Sequence, residues 1–113
     1  MASSTDTHDA ILNLDTPESY EDAVGNDGLV LVDFYADWCG PCKQMEPVLE
    51  AIAGSTEAQV LKVDVDQHQQ LAAEYQVRGV PTMLVYKDGE QVERFVGYQP
   101  EPALRETVSQ YSN

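Results

Sequence analysis

The chain has 113 residues, enough for one domain around one hydrophobic core and too few for two that fold independently. Hydrophobic residues make up 42% of it, close to the globular norm, which excludes a chain disordered throughout. Twenty Asp and Glu against six Lys and Arg give a formal charge of −14, and a surface so charged repels phosphate backbones, so nucleic acid is excluded as a partner class.

Residues 1–8 are small and polar without hydrophobic periodicity and read as a mobile tail, so one domain is expected over residues 9–113. Ile11, Leu12 and Leu14 suggest a short first strand. Thr16-Pro17 then reads as an N-cap followed by proline at the first helical position, with Glu18 in the first turn and the helix running to about Val24. After the turn cluster Gly25-Asn26-Asp27-Gly28, Leu29 to Ala36 is an apolar run interrupted only by Asp33, the pattern of a strand buried on both faces. From Cys42 onward, Met45, Val48, Leu49, Ile52 and Ala53 recur at helical spacing until Gly54. Cys39 and Cys42 therefore fall where a central strand meets a helix.

Val60 to Val65 predicts a third strand, and residues 67–76 a helix with Leu71, Ala72 and Tyr75 on one side. The cysteines thus lie inside a β-α-β unit, whose strands run parallel with a right-handed crossover. Beyond a break at Gly79 and Pro81, Met83 to Tyr86 and Val92 to Val96 predict an antiparallel hairpin turning at Asp88-Gly89. Leu104 and Val108 mark a last helix over residues 102–111, for the order β-α-β-α-β-α-β-β-α without repeat or linker. No apolar run approaches the roughly 18 residues of a membrane span, and the first basic residue is Lys43, so the opening stretch lacks the basic region of a secretory signal. The expectation is a cytoplasmic protein with no membrane partner.

The acids form no block of five: residues 1–42 carry nine and no base, and the remainder eleven with six bases. A basic partner would explain them, and so would a solvated surface adapted to high salt. The second reading predicts a fold that weakens in dilute buffer, where the Debye length grows to roughly 30 Å at 0.01 M.

Two cysteines three residues apart cannot cross-link a fold, which excludes a disulfide-framework protein, but they can approach to bonding distance in a first helical turn. The unpaired N–H groups and positive dipole end of the helix favour a thiolate at Cys39, which makes it the attacking sulfur. Cys42, one turn deeper under apolar neighbours, is expected to stay protonated until it attacks Cys39 to resolve a mixed disulfide. Asp33, the one acid in the central strand, is the candidate acceptor of that proton, directly or through a water, because burial raises a carboxyl toward the working range. The alternative for Asp33 is a polar residue at a strand end. Zinc would need further ligands, and only His8 in the tail and His68 at a polar helix start, read as solvent-exposed, remain. No metal and no cofactor are expected. An iron-sulfur cluster would need a second chain to supply two more cysteines.

The run Val32-Asp33-Phe34-Tyr35-Ala36-Asp37-Trp38-Cys39-Gly40-Pro41-Cys42-Lys43 resembles the active-site stretch of the thioredoxin family. Further landmarks follow in order: Pro47 where the family bends its active-site helix, Gly79-Val80-Pro81-Thr82 as the loop whose cis-proline faces the cysteines, and Gly97 as the glycine of the substrate groove. The resemblance covers roughly residues 9 to 112. It implies an α/β thioredoxin-like fold, a mixed sheet of about five strands flanked by about four helices. It also implies an apolar rim of Trp38, Gly40, Pro41, Val80, Val96, Gly97 and Tyr98 around the sulfur, with core packing as the alternative for Val96 and Tyr98. A cis Val80-Pro81 bond would turn the Val80 backbone outward beside Cys39, so that an incoming chain could add main-chain hydrogen bonds. Lys62 would lie beside Asp33 and tune it, or be an ordinary surface lysine. Pro47 removes a helical hydrogen bond to Lys43 and either shapes packing or the site.

Tyr35 stands where many members have tryptophan, and Asp37 adds charge beside Trp38, which bears on which reductase docks. In composition the chain also resembles proteins of salt-loving archaea. Together these imply a general protein-disulfide reductase, a monomer, served by a thioredoxin reductase and acting on disulfide-containing client proteins. Gly40-Pro41 favours a reductant, since oxidising relatives commonly carry a histidine between the cysteines. A disulfide oxidant or isomerase, and a redox-silent interaction module, are the alternatives.

Overall fold

In the computed structural model, residues 11–112 are described, and the tail at 1–8 and the domain start at Asp9 lie outside them. Within them the expected elements form in the expected order: β1 (Ile11–Asn13), α1 (Ser19–Val24), β2 (Leu29–Tyr35), α2 (Gly40–Ser55), β3 (Gln59–Asp64), α3 (Gln69–Glu74), β4 (Thr82–Lys87), β5 (Glu90–Val96) and α4 (Glu101–Tyr111). The strands make one mixed sheet in the order β1-β3-β2-β4-β5. β3 runs parallel to both β1 and β2, β4 lies antiparallel to β2, and β5 antiparallel to β4.

The period-2 alternation of a strand sorts β2 into two faces. Leu29 and Leu31 pack with Met45, Val48, Leu49 and Ile52 of α2 and with Leu104 and Val108 of α4. Val30, Val32 and Phe34 pack on the other side with Tyr20 and Val24 of α1 and Leu71 and Ala72 of α3. Helices therefore cover both faces, which is why β2 reads as an unbroken apolar run. Asp33 shares the face of Leu31 and points toward the α2 layer. On the opposite face the Tyr20 and Tyr86 hydroxyls meet at 3.0 Å in the core, so each buried hydroxyl has a partner.

The β4-β5 connection contains Asp88-Gly89 as expected and is shorter than the sequence suggested, two residues between Lys87 and Glu90. Asp88 and Gly89 both take positive φ (52° and 87°), the requirement of a type I′ turn. Asp88 is further fixed because its Oδ1 accepts the Gly28 N–H at 2.7 Å. β5 is an edge strand with a register shift opposite Val85 and Tyr86, and β1 at the other edge has three residues.

Several boundaries differ from expectation. Thr16 does not cap α1: its carbonyl accepts from the Ser19 N–H (3.1 Å) and Ser19 Oγ (2.8 Å), a turn that delays the helix to Ser19. α2 passes Gly54 to Ser55, and the Ser55 and Thr56 hydroxyls bond back to the Ala51 and Ile52 carbonyls. α3 is shorter than residues 67–76. His68, expected at the surface, is buried, with Nε2 3.3 Å from the Leu14 carbonyl.

Candidate redox site

α2 begins earlier than Cys42, and this places the cysteines. Cys39 is the N-cap, with extended backbone (φ −94°, ψ 113°), and its Sγ accepts the backbone N–H of Cys42 at 3.1 Å. That is the ordinary N-cap bond, from the cap side chain to the donor three residues on, with sulfur in place of oxygen. Pro41 stands in the first turn, where a missing N–H costs nothing. Cap geometry thus requires the same two-residue spacing that brings the sulfurs together, and Cys39 and Cys42 form a disulfide with Cα atoms 5.2 Å apart. When the bond is reduced, the same N–H and the helix dipole stabilise negative charge on Cys39.

Depth does not separate the two cysteines as sequence reasoning had it: Cys39 is 4% exposed and Cys42 3%. Both pack with Ala36, Tyr35, Val65 and Val80. The Val80-Pro81 bond is cis, and the Val80 carbonyl oxygen lies 3.6 Å from Cys39 Sγ. Gly97, at φ 92°, donates its N–H to the Pro81 carbonyl at 2.8 Å and ties the end of β5 to this loop. Among the apolar side chains expected to form a rim, Trp38 is 70% exposed and Val96 67%, with Tyr98 also exposed. Gly40 and Pro41 are exposed as well, whereas Pro81 is buried. The core alternative for Val96 and Tyr98 therefore does not hold.

Asp33 is fully buried on β2, and neither carboxylate oxygen has a hydrogen-bond partner among the described residues. Burial pushes its carboxyl up to about 7, against a downward pull from the Lys62 ammonium and a smaller upward push from Glu46. Lys62 is the register partner of Asp33 across β2 and β3. Its ammonium lies 3.8 Å from Glu46 Oε2 and 4.4 Å from the centre of the Tyr35 ring. The reading of Lys62 as an ordinary surface lysine fails on that placement.

Two contacts escaped the sequence. The Trp38 indole N–H donates to Asp66 Oδ2 at 2.9 Å, and this fixes the ring beside the cysteines. Twenty-eight positions separate the two residues, so no local signal marks the pair. Glu46 lies four residues beyond Cys42 on α2, a spacing that puts both on one helix face and could have been read. Among the described residues, no cluster of three His, Cys, Asp or Glu side chains could hold a metal ion.

A disulfide that spans the cap and first turn of a helix, which follows directly on a central strand carrying a buried carboxyl, defines a dithiol-disulfide protein. The Thioredoxin family model matches residues 11–110. A thioredoxin of Staphylococcus saprophyticus is 44% identical over 98 residues, covering 85% of this chain and 93% of that protein. One from Staphylococcus epidermidis is 49% identical over 86 residues, 74% of this chain and 83% of the other. Among solved structures, a mutant thioredoxin from Halobacterium salinarum superposes with a TM-score of 0.87 at 45% identity, covering 100% of this chain and 96% of its own. Fasciola hepatica thioredoxin gives 0.81 at 41% identity over 88% and 98%. The chain belongs to the thioredoxin family.

Proposed function

We propose that this chain is a general protein-disulfide reductase that cycles between the Cys39-Cys42 dithiol and disulfide. The observation that carries the reading is the cap bond from the Cys42 N–H to Cys39 Sγ, which sits where a thiolate would be stabilised. The Cys39 thiolate attacks one sulfur of a client disulfide. A Cys39-client bond forms, the client bond breaks, and the second client sulfur leaves as thiolate. Asp33, as carboxylate, then takes the Cys42 proton, directly or through a water. The Cys42 thiolate attacks Cys39 Sγ, the Cys39-client bond breaks, the first client sulfur leaves as thiolate, and the protein is left oxidised. Two electrons have passed to the client, and a thioredoxin reductase returns them.

Trp38, Gly40, Pro41, Val80, Val96, Gly97 and Tyr98 form the surface on which a client loop rests, and Pro81 shapes it. Apolar contact plus backbone pairing at Val80 supports clients of many sequences. Lys62 tunes Asp33. The domain is residues 9–113, the site of action the cytoplasm, and the working species a monomer. No helix among the described residues is long and apolar enough to cross a membrane. The charge of −14 and the likeness to the Halobacterium salinarum protein support a salt-adapted member, while the staphylococcal likeness speaks for the family alone.

The test is the equilibrium reduction potential of the pair, titrated anaerobically against a dithiol buffer. A value well below the glutathione pool is expected, since electrons must flow toward structural disulfides. A markedly more oxidising value would move the function to oxidant or isomerase, and no two-electron transition would leave only an interaction module. Salt adaptation is checked separately by urea unfolding: the midpoint is expected to fall in dilute buffer and recover in molar salt. Equal midpoints would return the acids to partner recognition.

A further inference from the structure

The Lys62 ammonium is placed by the sheet to serve Asp33 and yet bonds to neither of its oxygens. Asp33 and Lys62 are register partners on adjacent parallel strands, so their side chains leave the same face of the sheet, the face that α2 covers. Lys62 instead extends along that face until its ammonium sits between the Glu46 carboxylate and the Tyr35 ring. The Lys62 side chain is 15% exposed and that of Glu46 54%, so the ammonium is drawn toward the solvent edge of the layer. Asp33 stays inside with both oxygens unpartnered among the described residues. Cys42, whose proton is at issue, comes from the same helix face as Glu46, one turn earlier.

We propose that Glu46 is a positioning residue for the resolving step: by competing with Asp33 for the Lys62 ammonium, it sets the pH at which Asp33 accepts the proton of Cys42. This rests on the reading of Asp33 as that acceptor. An acceptor that is half ionised near neutral pH has both a useful ionised fraction and enough basicity to take a thiol proton. An ammonium in contact with Asp33 would keep it ionised and leave it a poor base. An Asp33 with no cation nearby would be protonated and unable to accept. Glu46 draws the Lys62 ammonium out of bonding contact with Asp33, which still feels its charge, and adds its own repulsion.

The other groups around Asp33 do not substitute for Glu46. β3 contributes Lys62, and α2 contributes Glu46 and Cys42. On β4 the register partner is Met83, which carries no charge. On its own strand Tyr35 is neutral, its hydroxyl pushed up by burial first and then by Asp64, Asp37, Asp33 and Glu46. Asp64 and Asp37 therefore act on the same region, but neither pairs with Lys62.

The experiment compares the full chain with Glu46→Gln, Glu46→Asp and Asp33→Asn. Two quantities are followed against pH: the Asp33 carboxyl by carbon NMR in the reduced protein, and the decay of a preformed Cys39 mixed disulfide, which isolates the resolving step. Glu46→Gln removes a half-exposed charge, so Lys62 turns toward Asp33. Its proton affinity is then expected to fall about threefold to tenfold, a midpoint lower by about half to one pH unit. The decay profile moves by the same amount. Glu46→Asp keeps the midpoint close to that of the parent, which a purely structural role would not predict. With Lys62→Met as background, the effect of Glu46→Gln shrinks to the direct repulsion between the two carboxylates.

An Asp33 midpoint unmoved by Glu46→Gln overturns the role of Glu46, while the acceptor reading survives if Asp33→Asn still alters the decay profile. A decay profile that Asp33→Asn leaves unchanged overturns the acceptor reading and this proposal with it, even where the NMR midpoint moves. An Asp33 shift from Glu46→Gln that is undiminished in the Lys62→Met background also overturns it, because the effect then does not pass through Lys62.

Discussion

Cys39→Ser is expected to reduce client-disulfide reduction by at least about a thousandfold, because a hydroxyl at neutral pH supplies almost no anion to attack sulfur. Cys42→Ser is expected to give an equally low turnover by a different route. Its Cys39 still attacks, but nothing resolves the product, so a stable Cys39-client adduct accumulates. Mass spectrometry of the two variants after exposure to a disulfide substrate separates the roles: adduct on Cys42→Ser and none on Cys39→Ser. The reverse pattern would exchange nucleophile and resolver. Because both residues are almost fully buried, burial does not decide between them. The argument rests on the cap: Cys39 Sγ takes a helix N–H, and Cys42 supplies that donor.

Asp33→Asn is expected to make the oxidised protein more stable at neutral pH and to remove most of the pH dependence between about 4 and 7. The carboxyl moves from an ordinary value of 3.8 in the open chain to about 7 in the fold. Between those values the folded protein holds a proton that the unfolded chain has lost, so stability falls as pH rises and levels off above the folded value. A shift of that size corresponds to about 4 kcal/mol. Below the unfolded value both states are protonated and the penalty is absent. The stability difference between Asp33→Asn and the parent should therefore grow by about this amount from pH 4 to pH 8 in urea unfolding. Parallel pH curves for the two proteins would mean that Asp33 is not held up by burial.

Most of the frame was legible because strong patterns wrote it. A run from Leu29 interrupted by one acid can hardly be other than a central strand, and the interrupting acid is the buried Asp33. The cysteines could be placed because strand, turn and helix follow each other without slack. What was missed depends on contacts made at a distance. His68 sits among Gln67, Gln69 and Gln70, a surface pattern, yet its ring reaches the Leu14 carbonyl 54 positions earlier. Thr16-Pro17 has the letters of a helix start, but the Thr16 carbonyl is taken by a turn to Ser19. The hold of Glu46 on Lys62 requires knowing that β3 lies beside β2 in the register Asp33 to Lys62, which one chain's periodicity does not specify.

The two borders of the sheet carry a consequence for solubility. An unpaired strand invites a neighbour's backbone, and long flat borders seed aggregates. Here β1 has three residues among those described. β5 is longer, but it is disrupted by its register shift and carries Glu90, Glu93 and Arg94 among its side chains. A second copy that tried to extend the sheet would meet charge and a broken ladder. The protein can therefore present an exposed Trp38 beside a reactive disulfide while the borders of its sheet give a second copy little backbone on which to polymerise.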